Sequence, residues 1–118
     1  MLAPGRFISE KTHYNSAIVI PGFSPIEQYS QQSRQGPYSD VYALCATIYY
    51  MLTGQIPTAA IERISGARIK TFHECGVKDS ARIEKAIMHG LAIKSDDRIQ
   101  TMQLLYEELI SEEKTISL

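Results

Sequence analysis

The chain has no tryptophan, only two cysteines and no long apolar run. Two cysteines, Cys45 and Cys75, are too few for a disulfide framework. Free thiols in a reducing compartment follow, with the cytoplasm as the default location. No apolar stretch approaches the ~20 residues of a membrane helix. The longest, Val41 to Leu52, is short and carries Thr47 and three tyrosines. Met1 to Phe7 lack the apolar core of a secretory signal, and Pro4-Gly5 interrupt them. The net charge is −1, so no basic excess points to nucleic acid or a membrane surface. Metal-ligand clusters are also missing. His73-x-Cys75 has no second pair nearby, so both read as ordinary loop residues. His13 and His89 lack partners for nucleophilic or acid–base chemistry.

What remains is an ordinary globular composition, 44% hydrophobic and 21% charged over 118 residues. That length suits one domain with a modest core. Glu10 to Ser16 reads as an exposed loop. Ala17 to Ile20 reads as a short extended piece, stopped by Pro21-Gly22. Ser24-Pro25-Ile26-Glu27 carries helix-start chemistry, with Ser24 as cap, Pro25 at the first position and Glu27 in the capping-box place. A short helix to about Tyr29–Gln32 is expected, then a polar linker to Pro37.

Ser39 is expected to cap the next helix, with Asp40 near its positive end. From Val41 to Leu52 apolar or aromatic side chains fall on nearly every side, which reads as a buried central helix. Gly54 and Pro57 end it. Thr58 is expected to cap a short helix over Ala59–Ser65. Asp79 or Ser80 opens another to about Ile93, where Ile83, Ile87 and Leu91 share a face and Gly90 is a local weakness. Thr101 caps the last helix, with Met102, Leu105 and Leu109 on one face. The fold class is therefore mainly α.

The order and motifs resemble the second half of the large lobe of bacterial serine/threonine protein kinases. Pro25-Ile26-Glu27 stands where the family writes Ala-Pro-Glu or Pro-Pro-Glu at the end of its activation segment. Ser39-Asp40-Val41-Tyr42-Ala43-Leu44-Cys45 is similar to the start of its buried central helix. There Cys45 replaces a typical glycine, which puts the close backbone packing in question. Asp96-Asp97-Arg98 resembles the arginine-bearing loop before the last helix. The resemblance covers roughly residues 6 to 112. It implies an activation-segment-like loop over 1–24, a helical lobe over 25–112 and a tail over 113–118, all within one partial kinase-like domain.

The resemblance also implies site residues. Glu27 and Arg98 are expected to form an ion pair. Asp40 anchors a helix start and in the family holds the catalytic loop. Ile20, Pro21 and Gly22 match the shelf beneath the residue that follows the phospho-acceptor. Thr12, Tyr14 and Ser16 fall where the family's activation loop takes phosphate, although a plain polar loop explains each as well.

The catalytic parts are missing. The sequence contains no Gly-x-Gly-x-x-Gly, no His-Arg-Asp and no Asp-Phe-Gly, and only twenty residues precede Pro21. No catalytic residue, cofactor or metal ligand is assigned. ATP and magnesium are implied only for a complete kinase. The expected function is that of a substrate-lobe fragment of a serine/threonine kinase, inactive alone. The alternative is a non-catalytic protein-interaction module derived from such a lobe. A small helical domain with a chance likeness to kinases is a third reading. In the family the central helix is covered partly by elements that this sequence lacks. An exposed apolar face is therefore expected, and with it a protein partner: a missing kinase half, or a second copy in a homo-oligomer, with exchange of residues 1–37 as one route to it.

Overall fold

A computed structural model describes residues 18–30 and 32–111. Within them the chain forms four α-helices: α1 (Pro37–Thr53), α2 (Ala60–Ile64), α3 (Ala81–Gly90) and α4 (Met102–Ile110). Single 3-10 turns cover Ile26–Tyr29, His73–Cys75 and Ser95–Asp97, and there is no strand among the described residues. None of these helices is long and apolar enough to cross a membrane.

Helix α1 begins earlier than the sequence suggests. Pro37 takes the first helical position, where its missing N–H costs nothing and its fixed φ suits the helix. Gly36, not Ser39, is the N-cap. Ser39 lies inside the first turn and accepts the Gly36 N–H on its hydroxyl at 3.2 Å. Gly54 closes the other end at φ +77°, and its N–H reaches the Tyr50 carbonyl at 2.8 Å. A left-handed residue of this kind favours glycine.

The other helix ends show similar corrections. Ser24 does not cap the first turn; its hydroxyl accepts the Ile20 N–H at 2.8 Å instead. Thr58 does not cap α2 either, because its hydroxyl donates to the Arg68 carbonyl at 3.0 Å. In both cases a short polar side chain found a closer partner in the folded loop. Helix α3 stops at Gly90 rather than Ile93. Thr101 does cap α4, accepting the Leu104 N–H at 3.1 Å.

The core sits between α1, α3 and α4. Val41, Tyr42, Cys45, Ala46 and Tyr49 of α1 meet Ile87, Leu91, Ile99 and Leu105. Each fully buried large aliphatic side chain here contributes roughly 1.5–3 kcal/mol. The approach of α3 to α1 is close at Gly90. A Cβ there would strike Cys45 Sγ and would lie 3.3 Å from the Val41 Cγ1. Cys45 therefore does not forbid close packing; the missing side chain is on the opposite helix. Helix α1 is not buried all round. Leu44 is 38% exposed, Tyr50 46% and Met51 72%, all on its outer side.

Candidate functional site: the buried Glu27–Arg98 anchor

Glu27 is delivered by a tight turn. The Phe23 and Ser24 N–H groups both donate to the Ile20 carbonyl, at 2.9 and 3.0 Å. Gly22 makes this possible with φ +93°. It also packs so closely on Ile56 that a Cβ would overlap that side chain. The chain then enters the 3-10 turn and points Glu27 inward.

Arg98 arrives from the other end of the sequence. It follows the Ser95–Asp97 turn in an extended conformation, with φ −96° and ψ 156°. Its guanidinium meets the Glu27 carboxylate at two points, Nη1 to Oε2 at 2.7 Å and Nη2 to Oε1 at 3.0 Å. The partners are 71 positions apart in sequence. Arg98 Nε also donates to the Ala92 carbonyl, Nη1 to the Tyr38 carbonyl and Nη2 to the Ile93 carbonyl. All five guanidinium N–H groups are thereby used. The Tyr42 ring centroid lies 5.0 Å from the guanidinium carbon, a favourable cation–π distance. The Arg98 side chain is 0% exposed and that of Glu27 6%.

Two further residues complete the anchor. Ser39 donates its hydroxyl proton to Glu27 Oε2 at 2.7 Å. Arg63 of α2 donates to the Tyr42 hydroxyl at 3.1 Å and to the Leu91 carbonyl at 2.7 Å. The sequence marked Ser39 only as a cap, and nothing in its pattern marks Arg63.

Burial alone would push the Glu27 carboxyl up. The hydrogen bonds from Arg98 and Ser39, helped by the Arg98 charge, outweigh it and hold the group below its usual range. A depressed carboxylate stabilises the fold fully above its unfolded pKa, and that contribution is lost as pH falls through the folded value. Stability is therefore expected to hold to about pH 5 and to fall below about pH 4.3. In Glu27→Gln the fold should be weaker at pH 7 and should converge on the wild type in acid. Thermal melts across that range check this, and a constant gap at every pH would count against it.

This arrangement is a clamp, not a reaction centre. The carboxylate is engaged on both oxygens and the cation on every donor. Burial pushes the Cys45 thiol up to about 12, so no thiolate nucleophile is available there. No group of metal-ligating side chains forms among the described residues. Cys75 lies 3.8 Å from the Tyr49 hydroxyl, and His73 is exposed. A groove of about 480 Å³ beside α4 has His89, Arg98, Leu104, Glu107 and Glu108 among its lining residues. His89 is bonded to Glu108 at 2.7 Å, and Glu107 is the groove's other carboxylate.

Of the other residues singled out by sequence, Ile20 and Gly22 belong to the turn that delivers Glu27. Asp40 is exposed at the fourth position of α1. Ile20 is 55% exposed, Pro21 is exposed and Gly22 is buried. They lead into Phe23, whose ring meets Tyr50 edge-on at 6.2 Å. Thr12, Tyr14 and Ser16 lie outside the described residues.

No family model matches the chain. No curated protein matches it. Among solved structures it is similar to PpkA-294 in its apo form, with 30% identity and a TM-score of 0.70. The match covers 86% of this chain and 36% of that one, so the chain spans about a third of its neighbour's length. Together with the helix order and the absence of strands among the described residues, the likeness shows the helical part of a protein-kinase-like large lobe.

Proposed function

We propose that these residues serve as the substrate-side scaffold of a serine/threonine protein kinase and do not transfer phosphate by themselves. The observation that carries the reading is the buried Glu27–Arg98 clamp, which ties the activation-segment-like turn to the loop before the last helix. In this reading the clamp orients the Ile20–Gly22 ledge, on which an extended protein substrate rests. Asp40 offers a carboxylate to the loop that would carry the chemistry. The 118 residues contain no phosphate-cradling glycine loop and none of the catalytic triplets, so nothing here positions a nucleotide. The free thiols Cys45 and Cys75 suit a reducing compartment, and we place the protein in the cytoplasm.

ATP with magnesium is expected to leave the melting temperature of the 118-residue chain unchanged and to release no phosphate above background. A ligand at 100 times its Kd would add about 2.7 kcal/mol, an easily measured shift. Nucleotide-dependent stabilisation would overturn the reading.

A second reading is a non-catalytic protein-interaction module. The exposed Ile61 and Ile64 on α2, at 46% and 55%, favour it. Coding sequence adjacent to this chain decides between the two: a glycine-rich loop with His-Arg-Asp supports the kinase scaffold.

A further inference from the structure

One face of α4 carries Leu104, Glu107, Glu108 and Ser111, at spacings of three, one and three. Positions so spaced share one side of a helix. With His89 and Ile99 they line the groove of about 480 Å³ beside α4, inside the ~300–1,000 Å³ range of ligand sites. One end of the groove is aliphatic, with Ile99 buried and Leu104 46% exposed. The other end is acidic. Glu107 and Glu108 stand in the last turn of α4, which has no basic residue and where the helix carbonyls add negative potential of their own. Gln103 Nε2 donates to Glu107 Oε2 at 3.1 Å, and His89 Nδ1 meets Glu108 Oε2 at 2.7 Å. The Oε1 atom of each carboxylate is bonded to no described residue. Nearby cations do not fill them. Arg98 spends every donor elsewhere, and Arg82 is turned to the Ser111 carbonyl.

We infer that this groove docks an extended segment of another protein that carries a basic residue two places from an aliphatic one. Open carboxylate oxygens beside an aliphatic wall complement a cation with an apolar neighbour. The spacing follows from the helix. Leu104 and Glu107 or Glu108 lie three or four residues apart, about 5–6 Å along the axis. In an extended chain, side chains two residues apart share a face and stand roughly 6.6 Å apart. Arginine suits the site, because its planar fork can reach both free oxygens. Two other grooves, around Arg34 and Asp96 and around Lys78 and Asp79, mix a cation with a carboxylate and select neither charge. The inference goes beyond the kinase-lobe reading and does not rest on it.

The test uses the whole 118-residue chain and the peptide acetyl-Leu-Ser-Arg-Ser-Leu-amide, which offers the spacing in both chain directions. Binding is followed by methyl NMR. The expected result is saturable shifts centred on Leu104 and Ile99 that weaken with added salt. The isomer acetyl-Ser-Leu-Arg-Leu-Ser-amide places arginine and leucine on opposite faces and should bind about threefold to tenfold more weakly. Citrulline in place of arginine keeps the shape without the charge and should cost about twofold to fivefold. Glu107→Gln should cost about as much, and the two losses should not add, since each removes the same contact. Leu104→Ala should cost about threefold to tenfold. Tyr106→Ala, on another side of α4, should change nothing. These side chains are exposed, and an unchanged melting temperature shows that each variant is folded.

No saturable shift up to about 5 mM peptide would overturn the inference, as would equal binding of the isomer or of the citrulline peptide. Shifts centred on Leu44 and Met51 of α1 or Ile61 of α2 would overturn it as well. Self-association of the chain through the Leu104 methyls assigns the groove to a second copy. Binding that appears only when residues 112–118 are removed assigns it to this chain's own tail. Either outcome overturns the assignment to another protein. A folded chain that binds no peptide leaves the lobe reading intact. That reading fails on a separate measurement, the stability loss at Arg98.

Discussion

Arg98→Ala is expected to destabilise the fold by about 3–5 kcal/mol, the range for removing one member of a buried pair. The guanidinium is fully enclosed and serves five acceptors at once. Alanine leaves the Glu27 carboxylate desolvated with Ser39 as its remaining side-chain donor. It also strips a donor from the Tyr38, Ala92 and Ile93 carbonyls. For a domain of this size the melting temperature should fall by at least about 12 °C. Arg98→Lys should recover only part of the loss, because an ammonium keeps the charge but not the two-point fork. Arg82→Ala is the control. Arg82 is exposed and bonds to the Ser111 carbonyl, so its loss should cost within about 0.5 kcal/mol. If Arg98→Ala costs no more than Arg82→Ala, the clamp does not hold the lobe together.

The second large effect concerns the crossing of α1 and α3. Gly90→Ala should be destabilising by about 1–3 kcal/mol, the range for overpacking a filled core. The sign is diagnostic. On helix propensity alone, alanine in place of glycine would stabilise α3 by about 1 kcal/mol. The added methyl would collide with Cys45 Sγ, so the cost should depend on that sulfur. In a Cys45→Ala background the same change should be mild or even favourable. A coupling of about 0.5–3 kcal/mol between the two sites is expected from a double-mutant cycle by chemical denaturation. Additive effects would mean that the two helices do not meet at this point.

The two expected effects show where sequence reasoning stops. Glu27 and Arg98 stand out because each sits in a short motif. The structure brings those motifs together across 71 positions and adds what no motif contains. The acceptors at Ala92, Ile93 and Tyr38 are backbone carbonyls, which every residue carries, so no residue type announces them. Ser39 was visible as a helix-start serine. Its true partners, the Gly36 N–H and the Glu27 carboxylate, depend on where the preceding turn lands. Gly90 reads locally as a weak point of a helix. Only a second helix crossing at Cys45 turns it into a requirement.

Hydrophobic period, proline and glycine placement and the Thr101 cap are local properties, set by neighbours a few residues apart. They sufficed for the helical class, the order of helices and the ends at Gly54 and Thr101. Which side of α1 is covered, which short polar side chains cap and which glycine is indispensable were decided by tertiary structure. Those outcomes turn on distances between segments far apart in the chain. A short polar side chain takes whichever backbone group folding brings nearest, and a buried charge is tolerable only where folding assembles all its partners. Local pattern therefore named the helices, and long-range packing chose the clamp.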